Sequence, residues 1–289
     1  MTTIIGVDFS GHRDDRNTWL ASGSLADDGT LLLDSVQPVR RDDLYHTLVH
    51  VPTPAVAALD FPFGVPRAFA EFLSHQQSPR DMADVWQVVS GLTAAEFVDG
   101  RDAFVDQQPG LPLSEREPKR AGDLTHHRES YSPLHTVNPN MLPMTFEGIK
   151  MLQRWQDEQP SRWHVPPLEP TGAPSERVTL LELMPGALLK SIGLPYKGYK
   201  KGRSALERRD QILGALAEAS RVALPNLDRV RMACRANDDC LDAVVASVGA
   251  AAWARDPSRF HHPNRDELPD AALEGWIYVP RRDGFNGSA

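Results

Sequence analysis

The sequence predicts an α/β protein: a mixed five-stranded sheet flanked by helices, with a proline-rich loop/helix insertion. Short apolar runs recur and each closes on an acid, at Asp8, Asp60 and Glu182. Segments with helical spacing lie between and after them, and the stretch from Pro109 to Pro174 is too dense in proline for long regular elements.

Ile4 to Val7 is a continuous apolar run, the pattern of a strand covered on both faces, and it ends in Asp8-Phe9-Ser10-Gly11. Thr18 to Ser24 and Thr30 to Val36 read as two more strands joined through the turn Asp27-Asp28-Gly29. Over Arg41 to Val51, Leu44, Leu48 and Val51 recur at helical spacing until Pro52-Thr53-Pro54 stops the helix. Ala55 to Leu59 is a buried strand closed by Asp60-Phe61-Pro62-Phe63-Gly64. Pro66 to Leu92 reads as helical with a break near Ser78-Pro79.

Residues 93–176 read as an inserted cap within a single domain spanning 1–280, with a helix near Thr145 to Gln156 and apolar anchors such as Trp155 and Trp163. Val178 to Leu181 is a strand closed by Glu182 and stopped by Pro185. Ser204 to Ser220 is a helix, with Ser204 and Glu207 spaced as a capping box. Asn237 to Ala254 is another, and Trp276 to Val279 is a short strand or an apolar tail. Residues 281–289 are expected to be flexible.

Parallel neighbouring strands would bring Asp8, Asp60 and Glu182 to one edge, where α/β sheets hold their sites. On the helix from Asn237, Asp238, Asp239 and Asp242 sit within about 60° on the wheel, and small Ala246 and Gly249 would let that helix approach the sheet closely. Carboxylates so gathered repel one another and lose hydration unless a cation neutralises them. Hard oxygen ligands suit Mg2+ or Mn2+, which would support phosphodiester hydrolysis. Taken singly, each acid could equally be a helix cap or turn former; their joint placement makes them candidate catalytic and metal-ligating residues.

The order of these elements resembles the ribonuclease H-like fold, as in RuvC-type resolvases. More narrowly, Gly6-Val7-Asp8-Phe9-Ser10-Gly11, Leu59-Asp60-Phe61-Pro62-Phe63-Gly64, Leu181-Glu182-Leu183-Met184-Pro185, Asp239-Cys240-Leu241-Asp242-Ala243 and Glu274-Gly275-Trp276-Ile277 resemble the successive motifs of the domain-of-unknown-function 429 family. That family is described as a predicted nuclease with this fold. The resemblance implies that Asp8 is the central metal ligand, that Asp60 and Glu182 are ligands from neighbouring strands, and that Asp239 and Asp242 complete the site.

Two segments are candidates for holding substrate. Pro195 to Gly202 interleaves Tyr196 and Tyr199 with Lys197, Lys200 and Lys201 on a glycine-flexed loop, a composition that pairs with phosphates and stacks on bases. A second polar cluster holds Arg116, Lys119, Arg120, Asp123, His126, His127 and Arg128, in which Arg120 to Asp123 resembles a basic-then-acidic element of the family. The bland alternative for both is a solvated basic face, and the pairs His126-His127 and His261-His262 read as surface histidines.

Composition narrows the function. With 31 Lys+Arg against 39 Asp+Glu the net charge is −8, so any nucleic-acid site must be locally basic. The 2 cysteines, Cys234 and Cys240, are too few for a disulfide framework and fit thiols in a reducing cytoplasm. No apolar run is long enough to span a membrane, and no G-x-S-x-G nucleophile elbow supports a serine hydrolase. The leading expectation is a cytoplasmic, metal-dependent nuclease or phosphodiesterase with nucleic acid as partner. A non-catalytic binding protein on the same fold is the alternative, and an actin-like ATP-handling enzyme a weaker one.

Overall fold

A computed structural model describes residues 1–75, 78–125, 130–169 and 176–281. The chain opens with β1 (Thr2–Asp8), β2 (Thr18–Leu25) and β3 (Leu31–Val39), followed by α1 (Arg41–His50) and β4 (Ala55–Asp60). Among the described residues six α-helices then precede the next strand: α2 (Arg67–Leu73), α3 (Met82–Ser90), α4 (Ala94–Asp106), α5 (Leu113–Arg116), α6 (Ala121–Thr125) and α7 (Met141–Glu158). Strands β5 (Trp163–His164) and β6 (Val178–Glu182) lead into α8 (Pro185–Ser191), α9 (Ala205–Ser220), α10 (Asp228–Ala236), α11 (Asp238–Arg255) and α12 (Leu268–Glu274).

The sheet has six strands in the order β3-β2-β1-β4-β6-β5, one more than the sequence suggests. The extra strand is the two-residue β5, which pairs parallel to the outer edge of β6 at Trp163↔Val178 and His164↔Thr179. It lies inside the proline-rich stretch, where Pro166-Pro167 cuts it short, so no periodicity could reveal it. What holds it is tertiary: Trp163 packs on Trp155 at 5.3 Å and donates its indole N–H to the Trp155 carbonyl at 2.7 Å. Strand β2 runs antiparallel to both its neighbours, while β1, β4, β6 and β5 are mutually parallel. Trp276 to Val279 follows the apolar-tail alternative: it is buried outside any strand, and the Tyr278 N–H donates to the Glu182 carbonyl at 2.9 Å.

Each face of the sheet has its own core. Ile5, Val7, Ala57, Leu59, Val178 and Leu180 pack beneath the helices from the first half of the chain. Ile4, Val56, Ala58, Leu181 and Leu183 pack against α9 and α11 on the other face. Helix α11 is buried from Cys240 to Trp253 because it lies directly on β1. A Cβ on Gly6 would stand 2.2 Å from the Ala243 carbonyl oxygen and the Ser247 nitrogen, so only glycine permits this approach. Gly249 gives similar relief against Leu183.

Helix starts depart from expectation in two places. Ser204 precedes α9 but makes no side-chain capping bond, its backbone being in a non-extended conformation. The capping box is on α4, where Thr93 and Glu96 satisfy each other's backbone N–H groups. Pro185, read as a strand stop, is also the first residue of α8. Among the described residues no helix is long and apolar enough to cross a membrane. The expected tail lies outside the described residues from 282 onward, as do His126, His127 and Arg128.

Candidate metal centre

The parallel pairing of β1 with β4 sets Asp8 directly beside Asp60 at the carboxyl ends of both strands. In-register residues of a sheet share a face, so both carboxylates turn toward α11. There Asp242, one turn into the helix, completes a group in which one carboxylate oxygen from each residue lies within 4.8 Å of the others. Asp242 is fully buried and Asp8 nearly so. The cluster lies at one side of a cavity of about 570 Å³ that is also lined by Tyr131, Asn138 and Met144 from the segment between β4 and β5.

Burial and mutual repulsion govern the charge state. Asp8 is pushed well above the usual carboxylate range, first by burial and then by the Asp242 charge, with Lys200 opposing. Asp60 is pushed up to about 7 by burial, against the pull of Lys200. Asp239 faces the same cavity and rises to about 6 through burial and the charge of Asp238. Asp238 itself turns aside to pair with Arg209 at 3.0 Å. Of the two neighbouring acids it is therefore Asp239 that belongs to the cavity.

Glu182 is not part of the three-acid group. Its register partner is Leu59, one residue short of Asp60, which turns its side chain toward the opposite face. There it is consumed by Arg120, whose Nη1 donates to Oε2 at 3.0 Å and Nη2 to Oε1 at 2.5 Å, and by the Phe63 N–H at 3.1 Å. The rest of the guanidinium binds Asp123 and the Glu274 carbonyl. Glu274 in turn accepts the backbone N–H groups of Arg67 and Ala121, each at 2.7 Å. Gly275, at φ +86°, passes so close that a Cβ would stand 2.7 Å from Glu182 Oε2. Arg120, expected to bind substrate, is a buried clamp joining α6, β6 and the end of α12, and with Glu182 and Asp123 it also lines the cavity.

The Tyr-Lys loop divides by position. Tyr199 is buried and its hydroxyl donates to Asp242 Oδ1 at 2.8 Å. The Lys200 ammonium is 2.7 Å from Asp242 Oδ2, close enough for an ion pair but poorly aligned as a hydrogen bond. Arg209 fixes the loop beneath them by donating to the carbonyls of Tyr199 and Lys200 at 2.7 and 2.8 Å. Lys197 is exposed and lines the cavity, whereas Lys201 is exposed and does not. Sequence reasoning missed Arg209, whose only hint was its position in the basic run. Cys234 and Cys240 are buried free thiols with sulfurs 3.3 Å apart.

Fold and site together describe an α/β protein with three aspartates gathered at the carboxyl edge of its sheet. The model of the family described as "Protein of unknown function (DUF429)" matches residues 166–267, the stretch that carries Glu182, the Tyr-Lys loop, Asp239 and Asp242. That stretch includes two of the motif segments that resemble the family, Leu181 to Pro185 and Asp239 to Ala243. No curated protein and no solved structure shows significant similarity to the chain.

Proposed function

We propose that this chain is a divalent-metal-dependent phosphodiesterase, a nuclease on a ribonuclease H-like fold. The observation that carries the reading is the meeting of Asp8, Asp60 and Asp242 within 4.8 Å at the side of a cavity large enough for substrate. The fold assignment is supported by the order β3-β2-β1-β4-β6 with β2 alone reversed, and by an acid on the first strand facing an acid on the last long helix.

The donor set fits a hard cation. All three ligand candidates are carboxylates, and among the described residues neither Asp8 nor Asp60 has a side-chain hydrogen bond that would have to be broken. Bound among Asp8, Asp60 and Asp242, with Asp239 nearby, Mg2+ or Mn2+ would supply Lewis-acid stabilisation of the charge that develops in phosphodiester cleavage. The chain's own residues set the stage: Tyr199 orients Asp242, and Lys197 offers a charge for a flanking phosphate. Tyr131 and Tyr196 present rings on which unpaired bases can stack. Single-stranded nucleic acid suits such a cavity better than a duplex. Two free thiols in contact fit a reducing, cytoplasmic setting.

A second reading, a binding protein without catalysis, draws on the ion pair of Lys200 with Asp242 and on the commitment of Glu182 to Arg120. Calorimetric titration with Mn2+ and Mg2+, comparing the protein with its Asp8→Asn variant, decides between them when followed by assays on single-stranded DNA and RNA. Metal binding and hydrolysis that both vanish in Asp8→Asn support the enzyme. Hydrolysis that persists in the variant overturns the site assignment, and absence of hydrolysis with metal bound favours the binding protein.

A further inference from the structure

We infer that Lys200 is the resident counter-cation of the aspartate cluster, and that a divalent ion loads by displacing its ammonium into the cavity. The inference rests on the metal reading above and assigns a role to a residue otherwise expected only to touch substrate.

Three observations support the exchange. The ammonium stands 2.7 Å from Asp242 Oδ2, against a group of three carboxylates whose charges all act on it. It fits that place poorly: one unit charge faces three acids, and its contact with Oδ2 lacks hydrogen-bond alignment although that oxygen is buried. A doubly charged ion with several oxygen ligands answers both deficits. Finally, the side chain is free to leave. Half of the Lys200 side-chain surface is exposed, and its four-carbon stem can swing into the cavity without moving the main chain.

The main chain, by contrast, is held. Arg209 grips the carbonyls of Tyr199 and Lys200, one on each side of the Lys200 α-carbon, and Tyr199 keeps its hydroxyl on Asp242 Oδ1. Exchange is therefore a side-chain rotation and requires no opening of the loop. It also leaves the displaced ammonium beside Lys197 on the cavity wall, where a phosphate of the substrate would arrive. In the empty protein Lys200 lowers the repulsion among the acids, and in the loaded protein it becomes available to an anion.

The test pairs two measurements on the full chain. In the first, Mn2+ is titrated calorimetrically into wild type and Lys200→Met, a variant of similar length without the charge. Removing the internal competitor should tighten Mn2+ binding about ten-fold or more. In the second, wild type is pulsed with an amine-acylating reagent with and without Mn2+, and modification of Lys200 is read by peptide mass spectrometry. Labelling of Lys200 should rise several-fold with Mn2+, and the rise should be absent in Asp8→Asn. Equal or weaker Mn2+ binding by Lys200→Met, or labelling of Lys200 indifferent to Mn2+, overturns the exchange while leaving the metal site standing. Failure of wild type and variant alike to bind Mn2+ overturns the metal reading together with the exchange. The labelling experiment uses the unaltered chain, so it decides the matter even if Lys200→Met folds badly.

Discussion

Glu182 is aligned with Leu59 and not with Asp60, and this offset of one residue separates its carboxylate from the aspartate cluster. The two acids should therefore answer differently to neutral replacement. Asp8→Asn should lose metal binding while the metal-free protein melts at the same temperature or higher, because a buried, repelled charge has been removed. Glu182→Gln should cost about 3–5 kcal/mol of stability, the usual result of breaking a buried pair, with metal affinity little changed. Thermal melts and calorimetry on both variants check this. Loss of metal binding in a cooperatively folding Glu182→Gln protein would restore Glu182 to the ligand set.

Gly6 sets the distance between β1 and α11, and hence between Asp8 and Asp242. Gly6→Ala would drive a methyl group to within 2.2 Å of helix backbone, with an expected cost of about 3 kcal/mol. Urea unfolding measures that loss. Metal affinity should fall with it, since relief comes only by moving the helix that carries Asp242.

The raised carboxyls make the metal-free fold sensitive to base. A carboxyl that holds its proton more tightly when folded stabilises the protein below its unfolded pKa of about 4. That contribution disappears as pH rises through about 6 for Asp239 and about 7 for Asp60. Melting temperature without metal should accordingly decline from about pH 5 to about pH 8 as these groups ionise. Added Mn2+ should restore more at the upper end, and a melting temperature that climbs over this interval would contradict the assignment.

Lys197 and Lys201 are four residues apart on the same loop, yet Lys197 alone of the two lines the cavity. Lys197→Gln should weaken binding of a single-stranded oligonucleotide and reduce the slope of affinity against salt by about one counterion. Lys201→Gln should do neither. Fluorescence anisotropy across a salt series separates them, and equal effects would place the strand outside the cavity.

Strands that end in acids are visible one at a time, which is why Asp8, Asp60 and the helical Asp242 could be read from their own neighbourhoods. Glu182 follows the same local rule. Its departure arises from register, a property of two strands together, and from Arg120, 62 residues earlier in the chain. Helix α4 carried a readable signal in Thr93 and Glu96, whereas β5 carried none, being held by Trp155 and its neighbour strand. Ser204 and Glu207 had the right spacing for a cap but not the backbone angle, which spacing alone does not report.

Arg120 reaches from the start of α6 to β6 and the end of α12, so its three partners, Asp123, Glu182 and the Glu274 carbonyl, come from stretches distant from one another in sequence. The excursion between β4 and β6 is consequently not a detachable accessory. A shortened chain lacking it would leave Glu182 as a buried charge without its counter-ion, and the sheet edge that presents the aspartates would be the first place to come apart. Any engineering or evolutionary trimming of this protein has to proceed around that arginine, because it ties the roof of the cavity to its floor.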